Sequence, residues 1–507
     1  MEFHLYSWLE VLSQSKQGIF YPRWAALAHF GYGEPRFIFY PPASWTLGAV
    51  LSAIFPWTLA SDIYIWLALV AAGVSMFLLA RQWLDRRDAT FAAVLYAVNP
   101  YHLVIVYWRS AFAELLAAAL LPLLLLLLLR TDQRRATVLL ALVLGASWLV
   151  NAPAAVMIHY SMALLIVVIA WQRRSAGILV TGSVAVILGA ALAAFYLFPA
   201  VYEQRWVNIA QAVSAGSRPL DNFLFVHTTD ADHDAFNRVI SWIAVAEIIL
   251  TIAAAWAARR WHNRELWGSL VIWGAVCAGL MLPVSNLFWN ILPKMRFMQF
   301  PWRWSLCLGI PFTLLITLGI RKWPARAAVY LATLCVLGFG WHQFQAPWWD
   351  TRADLREMQD NMATGAGYEG TDEYTPAGVD PSALNTAVDK DARHVTVDGP
   401  AHAAIRVSDW SAERKEFTAE MSAPDNLRVH LFSYPAWRVE VNGRIAHPGS
   451  REGTGEMLVP VEAGANRMQI IFIRTWDRTL GAWISMIAIV FVLVSLRNFP
   501  RPRVLNS

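Results

Sequence analysis

Long apolar runs separated by short polar loops dominate the first two thirds of the chain. Examples are AELLAAALLPLLLLLLL (Ala113–Leu129) and ILVTGSVAVILGAALAAFYLF (Ile178–Phe198). A helix needs about 20 apolar residues to cross a bilayer core of roughly 30 Å. A single run of this kind also suits a buried core helix, but the repetition predicts a polytopic α-helical membrane protein.

Arginines and lysines in the short loops orient these apolar segments. We predict eleven spans, joined by short basic loops from RQWLDRRD (Arg81–Asp88) to the tail RNFPRPR (Arg497–Arg503). If each segment crosses once, every basic loop lies on the cytoplasmic side, as the positive-inside rule requires. The predicted spans cover residues 62–80, 89–107, 111–129, 136–151, 154–171, 176–198, 239–258, 265–285, 302–320, 325–342 and 479–496.

One apolar segment does not fit this count. ASWTLGAVLSAIFPW (Ala43–Trp57) is short and ends at Pro56, and a crossing there would place the Arg81–Asp88 loop outside. We therefore predict a re-entrant or interface-lying helix on the outer side. Residues 1–42 are then external as well. Either the first span inserts with its N-terminus outside or a further helix is encoded upstream of Met1, and we favour the second.

After residue 343 the pattern changes to alternating apolar and polar residues. WRVEVNGR places Trp437, Val439 and Val441 on one face and continues with Asn-Gly, a strong hairpin signal. Residues 395–478 therefore predict a small β-sandwich outside the membrane, either an accessory module or a site for an acceptor. The preceding glycine-rich acidic loop, Thr364–Pro376, is either a surface connection or a cap over an outer site.

Composition agrees with this organisation and excludes other classes. Hydrophobic residues make up 57% of the 507 positions and charged residues 15%. Cys277, Cys307 and Cys335 all fall in apolar segments, so no disulfide framework is predicted. The net charge of +5 is modest, and no basic patch with interleaved aromatics indicates nucleic acid. The predicted parts are an outer loop (1–61), a transmembrane domain (62–342), a connecting segment (343–394), the β-domain (395–478) and a final helix with a cytoplasmic tail (479–507).

Glu114 is the leading candidate for chemistry. It stands at the outer entrance of a leucine-rich span, where an ionisable side chain costs a few kcal/mol and therefore suggests function. The alternative is an acid stabilised by the N-terminus of its own helix. Arg109 lies five residues earlier, about 140° round an ideal helix, so we do not expect the two side chains to share a face.

Glu2, His4 and Glu10 lie on one potential amphipathic helix at the start of the chain. Alone they suit a solvated helix face. Because they share the predicted outer side with Glu114, two carboxylates there also suit a general base and a metal or orienting ligand.

The external loop FVHTTDADHDAF (Phe225–Phe236) collects histidines and aspartates. His227, Asp230 and His233 are residue types that bind a divalent cation, although their spacing matches no defined motif. A divalent cation and a plain solvated loop are therefore the two interpretations.

PKMRFMQFPWRW (Pro293–Trp304) places Lys294, Arg296 and Arg303 among aromatic residues at an outer helix entry. One interpretation is an aromatic belt whose basic side chains reach the interface. The other is a binding site for the phosphate of an anionic lipid carrier, because arginine forms bidentate hydrogen bonds with phosphate oxygens.

GYGEPRFIFYPPASW (Gly31–Trp45) leads into the predicted interface helix. Its prolines stiffen the chain, and its aromatic residues suit the depth of lipid headgroups. We expect Tyr40 and Trp45, together with Trp302, to line a groove for a lipid substrate. Glu34 and Arg36 either border the site or pair with each other, and we favour the pairing.

Several segments resemble known families. EFHLYSWLEVLSQSKQGIFYP, YPPASWTLGAVLSAIFPW and the stretch from LARQWLDRRD to YWRSAFAE resemble the N-terminal half of GT-C glycosyltransferases that use polyprenyl-phosphate sugars. PRWAALAHFGYGEPRFIFYPP, NPYHL, QFPWRW and DEYTP are similar to bacterial membrane proteins described as 6-pyruvoyl-tetrahydropterin synthase-related. That similarity covers nearly the whole chain, and we expect no pterin chemistry from it because the sequence has no histidine-rich zinc motif.

The GT-C resemblance implies sugar transfer from a polyprenyl-phosphate carrier to a glycan, lipid or protein acceptor at the outer face of the bacterial inner membrane. It implies that Glu2, where such proteins usually have Asp, and Glu114 are the two acids of the site, one serving as base or metal ligand. The basic residues at 294–303 would hold the carrier phosphate, with Arg109 and His4 also near the substrate. A lipid-linked glycan transporter, expected to show repeats and mid-span acids, and a non-catalytic assembly protein stay open as alternatives.

Overall fold

The apolar segments form helices, and the alternating segments form strands. The computed structural model describes residues 2–131, 134–343, 351–380, 383–384 and 393–497. In chain order the α-helices are α1 Glu2–Lys16, α2 Arg36–Phe39, α3 Pro42–Ile54, α4 Trp57–Ala80, α5 Arg86–Ala97, α6 Pro100–Val104, α7 Phe112–Ala118, α8 Leu121–Leu128, α9 Arg134–Val150, α10 Ala152–Gln172, α11 Ala176–Leu192, α12 Ala194–Tyr202, α13 Ala231–Ala257, α14 Arg264–Leu280, α15 Asn286–Ile291, α16 Ser305–Gly319, α17 Trp323–Gln343, α18 Arg352–Thr364 and α19 Trp476–Arg497.

Every predicted span falls on a helix, but the count of eleven crossings is not confirmed. Several helices are short or broken, because prolines and left-handed residues interrupt the apolar runs. Within the described residues six helical stretches are long and apolar enough to cross a membrane, or eight if each of two bent pairs counts as one span. The six single stretches are Trp57–Ala80, Arg86–Arg109, Ala152–Gln172, Ala231–Arg260, Pro301–Gly319 and Trp476–Arg497. The two bent pairs are Ala176–Leu192 with Ala194–Trp206, bent by 75°, and Arg264–Leu280 with Pro283–Ile291, bent by 91°.

Helix α3 is a short apolar helix that packs beside α1 and α4. Its 13 residues begin at Pro42, where a proline needs no N–H partner, and end before Pro56. Thirteen residues are too few to cross a bilayer core. Gly48 lies against the indole of Trp8, so close that a Cβ there would come within 2.1 Å of the ring. The length of α3 therefore agrees with the prediction of a helix that does not cross, and the contact at Gly48 packs it against α1.

The C-terminal domain consists of two antiparallel sheets that share one apolar core. Asn442 and Gly443 both adopt positive φ angles, of 52° and 77°, and form the two-residue turn between β5 and β6, as the Asn-Gly signal predicts. The sheet orders are β1-β4-β8-β7 and β2-β3-β9-β5-β6. The strands are β1 Val395–Val397, β2 Ala403–Trp410, β3 Arg414–Met421, β4 Asp425–Phe432, β5 Trp437–Val441, β6 Arg444–Ala446, β7 Gly449–Ser450, β8 Glu456–Val461 and β9 Gly464–Phe472.

The β-domain is anchored to the helical part by a buried ion pair and a cluster of aromatic rings. Arg478, at the start of α19, donates hydrogen bonds of 2.8 and 2.9 Å to the two oxygens of Glu203, and Tyr434 donates one of 2.6 Å. The ring of Trp24 meets that of Trp437 at 5.4 Å. The segment around Trp24, helix α12 and the two sheets therefore share one core.

Candidate functional site

Glu114 lies buried at the first turn of α7 and is the centre of a charged cluster. Its Oε1 accepts a 2.6 Å hydrogen bond from the hydroxyl of Tyr101, and its Oε2 accepts one of 2.7 Å from Nη1 of Arg109. Nε of Arg303 lies 3.4 Å from the same Oε2. These four residues form the Glu114 cluster.

A break in the helix brings Arg109 to Glu114. Residues Ile105–Arg109 form a π-helical turn, and Ser110 then takes a left-handed conformation with φ of 46° before α7 begins. The expectation that Arg109 and Glu114 lie on different faces is therefore wrong, because the two residues do not belong to one continuous ideal helix. The sequence has no proline or glycine at this point that would predict the break.

Arg303 reaches the cluster from the 3-10 turn Pro301–Trp304, which leads into α16. Its Nη1 donates a 2.8 Å hydrogen bond to the carbonyl of Met298, while its buried Nε has no hydrogen-bond partner among the described residues. The ring of Trp302 lies 4.8 Å from the guanidinium of Arg109. Two buried guanidinium groups thus surround one carboxylate, and this excess of positive charge favours the binding of an anion.

An apolar groove lies next to the turn that carries Arg303. It is a cavity of about 420 Å³ between α10, α14 and α15, and Trp304 and Met295 form the part of its wall nearest the turn. Val284 and Phe288, which lie at and after the bend between α14 and α15, also line the groove and are exposed at the surface of the protein. The rest of the apolar groove is lined by Tyr160, Ser161, Leu164, Trp273, Val276, Gly279, Leu280, Ser285 and Leu292.

The other two predicted phosphate ligands lie at the surface near this turn. Lys294 is exposed, and its Nζ donates a 3.0 Å hydrogen bond to Oε1 of Gln204. Arg296 is exposed and forms no ion pair with any described residue. Both side chains are exposed at the surface, unlike that of Arg303, which lies in the protein interior.

His4 lies near the Glu114 cluster, whereas Glu2 does not join it. Nδ1 of His4 lies 2.5 Å from the hydroxyl of Tyr40, and its ring lies 5.3 Å from that of Phe112. Burial, with the nearby positive charges of Arg36 and Arg109, lowers the pKa of His4 to about 3, so the ring is neutral. Glu2 is exposed at the first turn of α1, without an ion pair to the described residues.

The aromatic residues predicted to line a lipid groove are inside the protein. Trp45 is fully buried between Tyr21 and Phe37, and its Nε1 donates a 3.2 Å hydrogen bond to the carbonyl of Tyr40. Trp302 is 2% exposed. These rings thus pack in the core, and the apolar groove is lined by other residues.

Glu34 and Arg36 pair with each other, as favoured. Nε of Arg36 lies 2.5 Å from Oε1 of Glu34, while Oε2 accepts a 2.8 Å hydrogen bond from the backbone of Thr371 and lies 3.0 Å from Nε2 of His29. The stretch Gly31–Trp45 therefore holds the glycine-rich loop in place. The loop is hydrogen-bonded to the N-terminal segment through Glu34 and is not a plain surface connection.

The structure does not gather the three residues predicted to hold a cation. His227 pairs with Asp234 at 3.1 Å, and His233 lies 2.9 Å from the amide oxygen of Asn222. Asp230 caps α13 by accepting hydrogen bonds from backbone N–H groups. Across the described ranges, no group of three His, Cys, Asp or Glu side chains is placed to hold a metal ion.

Sequence reasoning overlooked a second buried acid beside the Glu114 cluster. Glu247 is 1% exposed within the span of α13 and lies beside Ser305 and the backbone of Tyr101. Its carboxylate forms no ion pair in the described part of the chain. The signal was available, because Glu247 is a lone acid in the apolar run IAVAEIILTIAAAWA.

Comparison with known proteins identifies the family. No curated protein matches this sequence. The sequence model of the family described as "6-pyruvoyl-tetrahydropterin synthase related domain; membrane protein" matches residues 37–345, which is more than half of the 507 residues and includes the Glu114 cluster. The chain therefore belongs to the 6-pyruvoyl-tetrahydropterin synthase-related family of membrane proteins.

Proposed function

We propose that this protein is a GT-C-like glycosyltransferase that moves a sugar from a polyprenyl-phosphate carrier to an acceptor at the outer face of the bacterial inner membrane. One observation carries the proposal: a buried carboxylate with two arginines lies next to an apolar groove. Such a donor has an anionic head and a long apolar tail. The arginines suit the head, and the groove suits the tail.

The excess positive charge of the Glu114 cluster supports a binding site for the phosphate of the carrier. Nε of Arg303 lies 3.4 Å from Glu114 without a hydrogen bond to any described residue, and the guanidinium of Arg109 lies against the ring of Trp302. A phosphate that accepts hydrogen bonds from both would balance the second positive charge. Lys294 and Arg296, at the surface above, would contact the carrier as it enters.

The transfer requires one base and one stabilised leaving group. The oxygen of an acceptor hydroxyl attacks the anomeric carbon, and its proton passes to the carboxylate of Glu114. The bond between the anomeric carbon and the phosphate oxygen breaks, and polyprenyl phosphate leaves with the electron pair. Arg109 and Arg303 stabilise the charge on this leaving group. Glu2 lies outside the cluster, so we assign the base role to Glu114.

The test measures transfer from radiolabelled polyprenyl-phosphate hexoses by the purified protein in lipid vesicles. We expect Glu114→Gln to lower the rate by about 10²-fold or more, the usual contribution of a general base. Glu265→Gln is the matched control, because Glu265 pairs with Arg173 at the far, exposed end of a membrane helix. Equal turnover in the wild type and Glu114→Gln would overturn the proposal.

The proposed orientation has its own test. After Cys335, the exposed cysteine, is changed to serine, Thr418→Cys on β3 and Thr90→Cys on α5 each introduce one exposed thiol. A membrane-impermeant maleimide added to intact spheroplasts should label the first and spare the second. The reverse pattern would place the β-domain in the cytoplasm and contradict the proposal.

Glu247 is the one observation that favours a lipid-linked glycan transporter instead. Buried acids within spans are typical of transport pathways. A transporter would move a labelled lipid-linked sugar across proteoliposomes without cleaving it. Movement that is lost in Glu247→Gln and kept in Glu114→Gln would favour this second function over glycosyl transfer.

A further inference from the structure

A second cavity, which we term the junction pocket, lies where the outer segment meets the β-domain. It has a volume of about 330 Å³, at the lower end of the range for small-molecule sites. Four separate parts of the chain form it: α1, the loop that follows it, the end of α18 and the β-domain. Its lining residues are Glu10, Ser13, Gln14, Gln17, Ala26, Leu27, Phe30, Gly31, Thr364, Gly365, His394, Trp410, Ser411, Ala412, Lys415 and His430.

The acidic side of the junction pocket is built on α1. Glu10 is 1% exposed, and its Oε1 accepts a 2.6 Å hydrogen bond from the backbone of Leu27. Gln14 donates a 3.0 Å hydrogen bond to the other oxygen of Glu10. Gln14 is itself 1% exposed, and its amide oxygen has no hydrogen-bond partner in the described part of the chain. An unsatisfied buried acceptor in the wall of a cavity can accept a hydrogen bond from a water molecule or from a ligand that replaces it.

The basic side of the junction pocket comes from the β-domain. Lys415 is 3% exposed, and its ammonium donates only to the backbone carbonyls of Ser411 and Ala412. No carboxylate lies within ion-pair distance of it among the described residues. The ring of Trp410, which is partly exposed, stacks on His394 with 4.4 Å between centroids. The pocket thus offers hydrogen-bond acceptors, a donor and an aromatic surface.

We infer that the junction pocket binds a sugar unit of monosaccharide size. Each sugar hydroxyl donates and accepts hydrogen bonds, so it can satisfy Gln14 and Glu10 on one wall and Lys415 on the other. The carbon face of a sugar ring suits the aromatic wall at Trp410. The junction pocket is too polar for a lipid chain.

The junction pocket and the Glu114 cluster are connected by α1. His4 lies near the cluster, and Glu10 lies six residues further along the same helix, about 9 Å at 1.5 Å per residue. We therefore assign the sugar in the junction pocket to the acceptor, as a unit of its chain other than the one that reacts at Glu114. This assignment rests on the proposed function, whereas the binding itself does not.

The experiment measures binding of methyl glycosides of glucose, galactose, mannose and N-acetylglucosamine to the full chain in nanodiscs, by saturation-transfer NMR. We expect saturable binding of at least one of them. Ser13→Trp fills the pocket from the helix surface and should weaken binding at least tenfold, as should Trp410→Ala. Ser15→Trp is the matched control, because Ser15 lies on the same helix outside the junction pocket, and it should bind as the wild type does.

The outcomes separate the two proposals. Absence of saturable binding, or equal binding by Ser13→Trp and the wild type, would overturn the junction pocket as a sugar site. Glu114→Gln should bind the glycoside normally even where transfer is lost. Normal transfer by Glu114→Gln would defeat the proposed function and leave the binding site intact. Transfer that Ser13→Trp leaves unchanged would defeat the assignment of the bound sugar as acceptor.

Discussion

Arg109 donates a 2.7 Å hydrogen bond to Glu114 across the helix break at Ser110. Because both groups are buried, removing the carboxylate leaves two arginines that repel each other. We expect Glu114→Gln to lower the free energy of unfolding by about 3–5 kcal/mol, as is usual when one partner of a buried ion pair is removed. Thermal unfolding in detergent measures the effect.

The ion pair between Arg109 and Glu114 also predicts that the effects of mutating its two residues on stability are not additive. Arg109→Gln alone removes one partner of this ion pair and leaves Glu114 with Arg303, whereas the double variant with Glu114→Gln removes both partners of the pair. The double variant should therefore be more stable than the sum of the two single losses indicates. Strict additivity would mean that Arg109 and Glu114 do not interact in the folded protein.

Tyr434 connects the β-domain to the membrane helices through Glu203. Tyr434→Phe removes a hydrogen bond to a charged group, which contributes about 1.5–3 kcal/mol. We expect faster proteolysis between the β-domain and the helices, with the sheets themselves intact. Arg438→Met is the control, because Arg438 pairs with Glu440 at the surface and such pairs contribute about 0–1 kcal/mol. Equal protease resistance of Tyr434→Phe and the wild type would contradict the anchoring role.

Glu34 should make the protein sensitive to acid. Burial alone would raise its pKa, but Arg36, His29 and the N–H of Thr371 together lower the pKa to about 2 from the usual 4.5. The contribution of ionised Glu34 to the free energy of unfolding is therefore complete above pH 4.5. It is lost as the pH falls from 4.5 toward 2. Its size is on the order of 3 kcal/mol. In Glu34→Gln the unfolding midpoint should be lower at pH 7 and vary less across this window.

Glu10 should behave in the opposite way. Burial raises its pKa above 4.5, although hydrogen bonds from Leu27 and Gln14 oppose the shift. The folded state then prefers the protonated form, so the contribution of Glu10 to stability is present below pH 4.5 and is lost as the pH rises. Glu10→Gln should leave stability at pH 7 equal or higher. A loss of stability at pH 7 as large as that of Glu34→Gln would contradict the raised pKa of Glu10.

Gly189 allows α9 and α11 to approach closely. A Cβ at this position would lie 2.9 Å from both the carbonyl of Ala141 and Cβ of Leu144. Close helix contacts at small residues are typical of membrane proteins. We expect Gly189→Ala to destabilise the protein by about 1–3 kcal/mol. Gly279→Ala is the control, because a Cβ there meets nothing within 4 Å and the change should be neutral or slightly stabilising.

The local pattern of residues predicts much of the architecture. Apolar runs and basic loops place each helix, because a helix in a bilayer satisfies its own backbone and needs only an apolar surface. The alternation in WRVEVNGR places Trp437 and Val439 in the core of a β-domain, and Asn442-Gly443 forms the turn between strands. These are properties of neighbouring residues.

The number of crossings depends on more than the apolar pattern. Ser110 breaks a helix without any proline or glycine to mark it, and bends of 75° and 91° divide two further apolar runs. Whether a short helix crosses depends on the helices packed around it, which the sequence of that helix does not contain.

The candidate site illustrates the same limit. Glu114 stands out in the sequence as an acid in an apolar run, but its partners Arg109 and Arg303 are assigned only by the helix break and by the packing of a distant turn. The junction pocket likewise requires α1 and the β-domain to meet, although Glu10 and Lys415 lie far apart in sequence. The sequence by itself determined the segments and their chemistry. Only the tertiary structure decided which charges meet, because long-range packing, and not the local pattern, sets the distances between side chains.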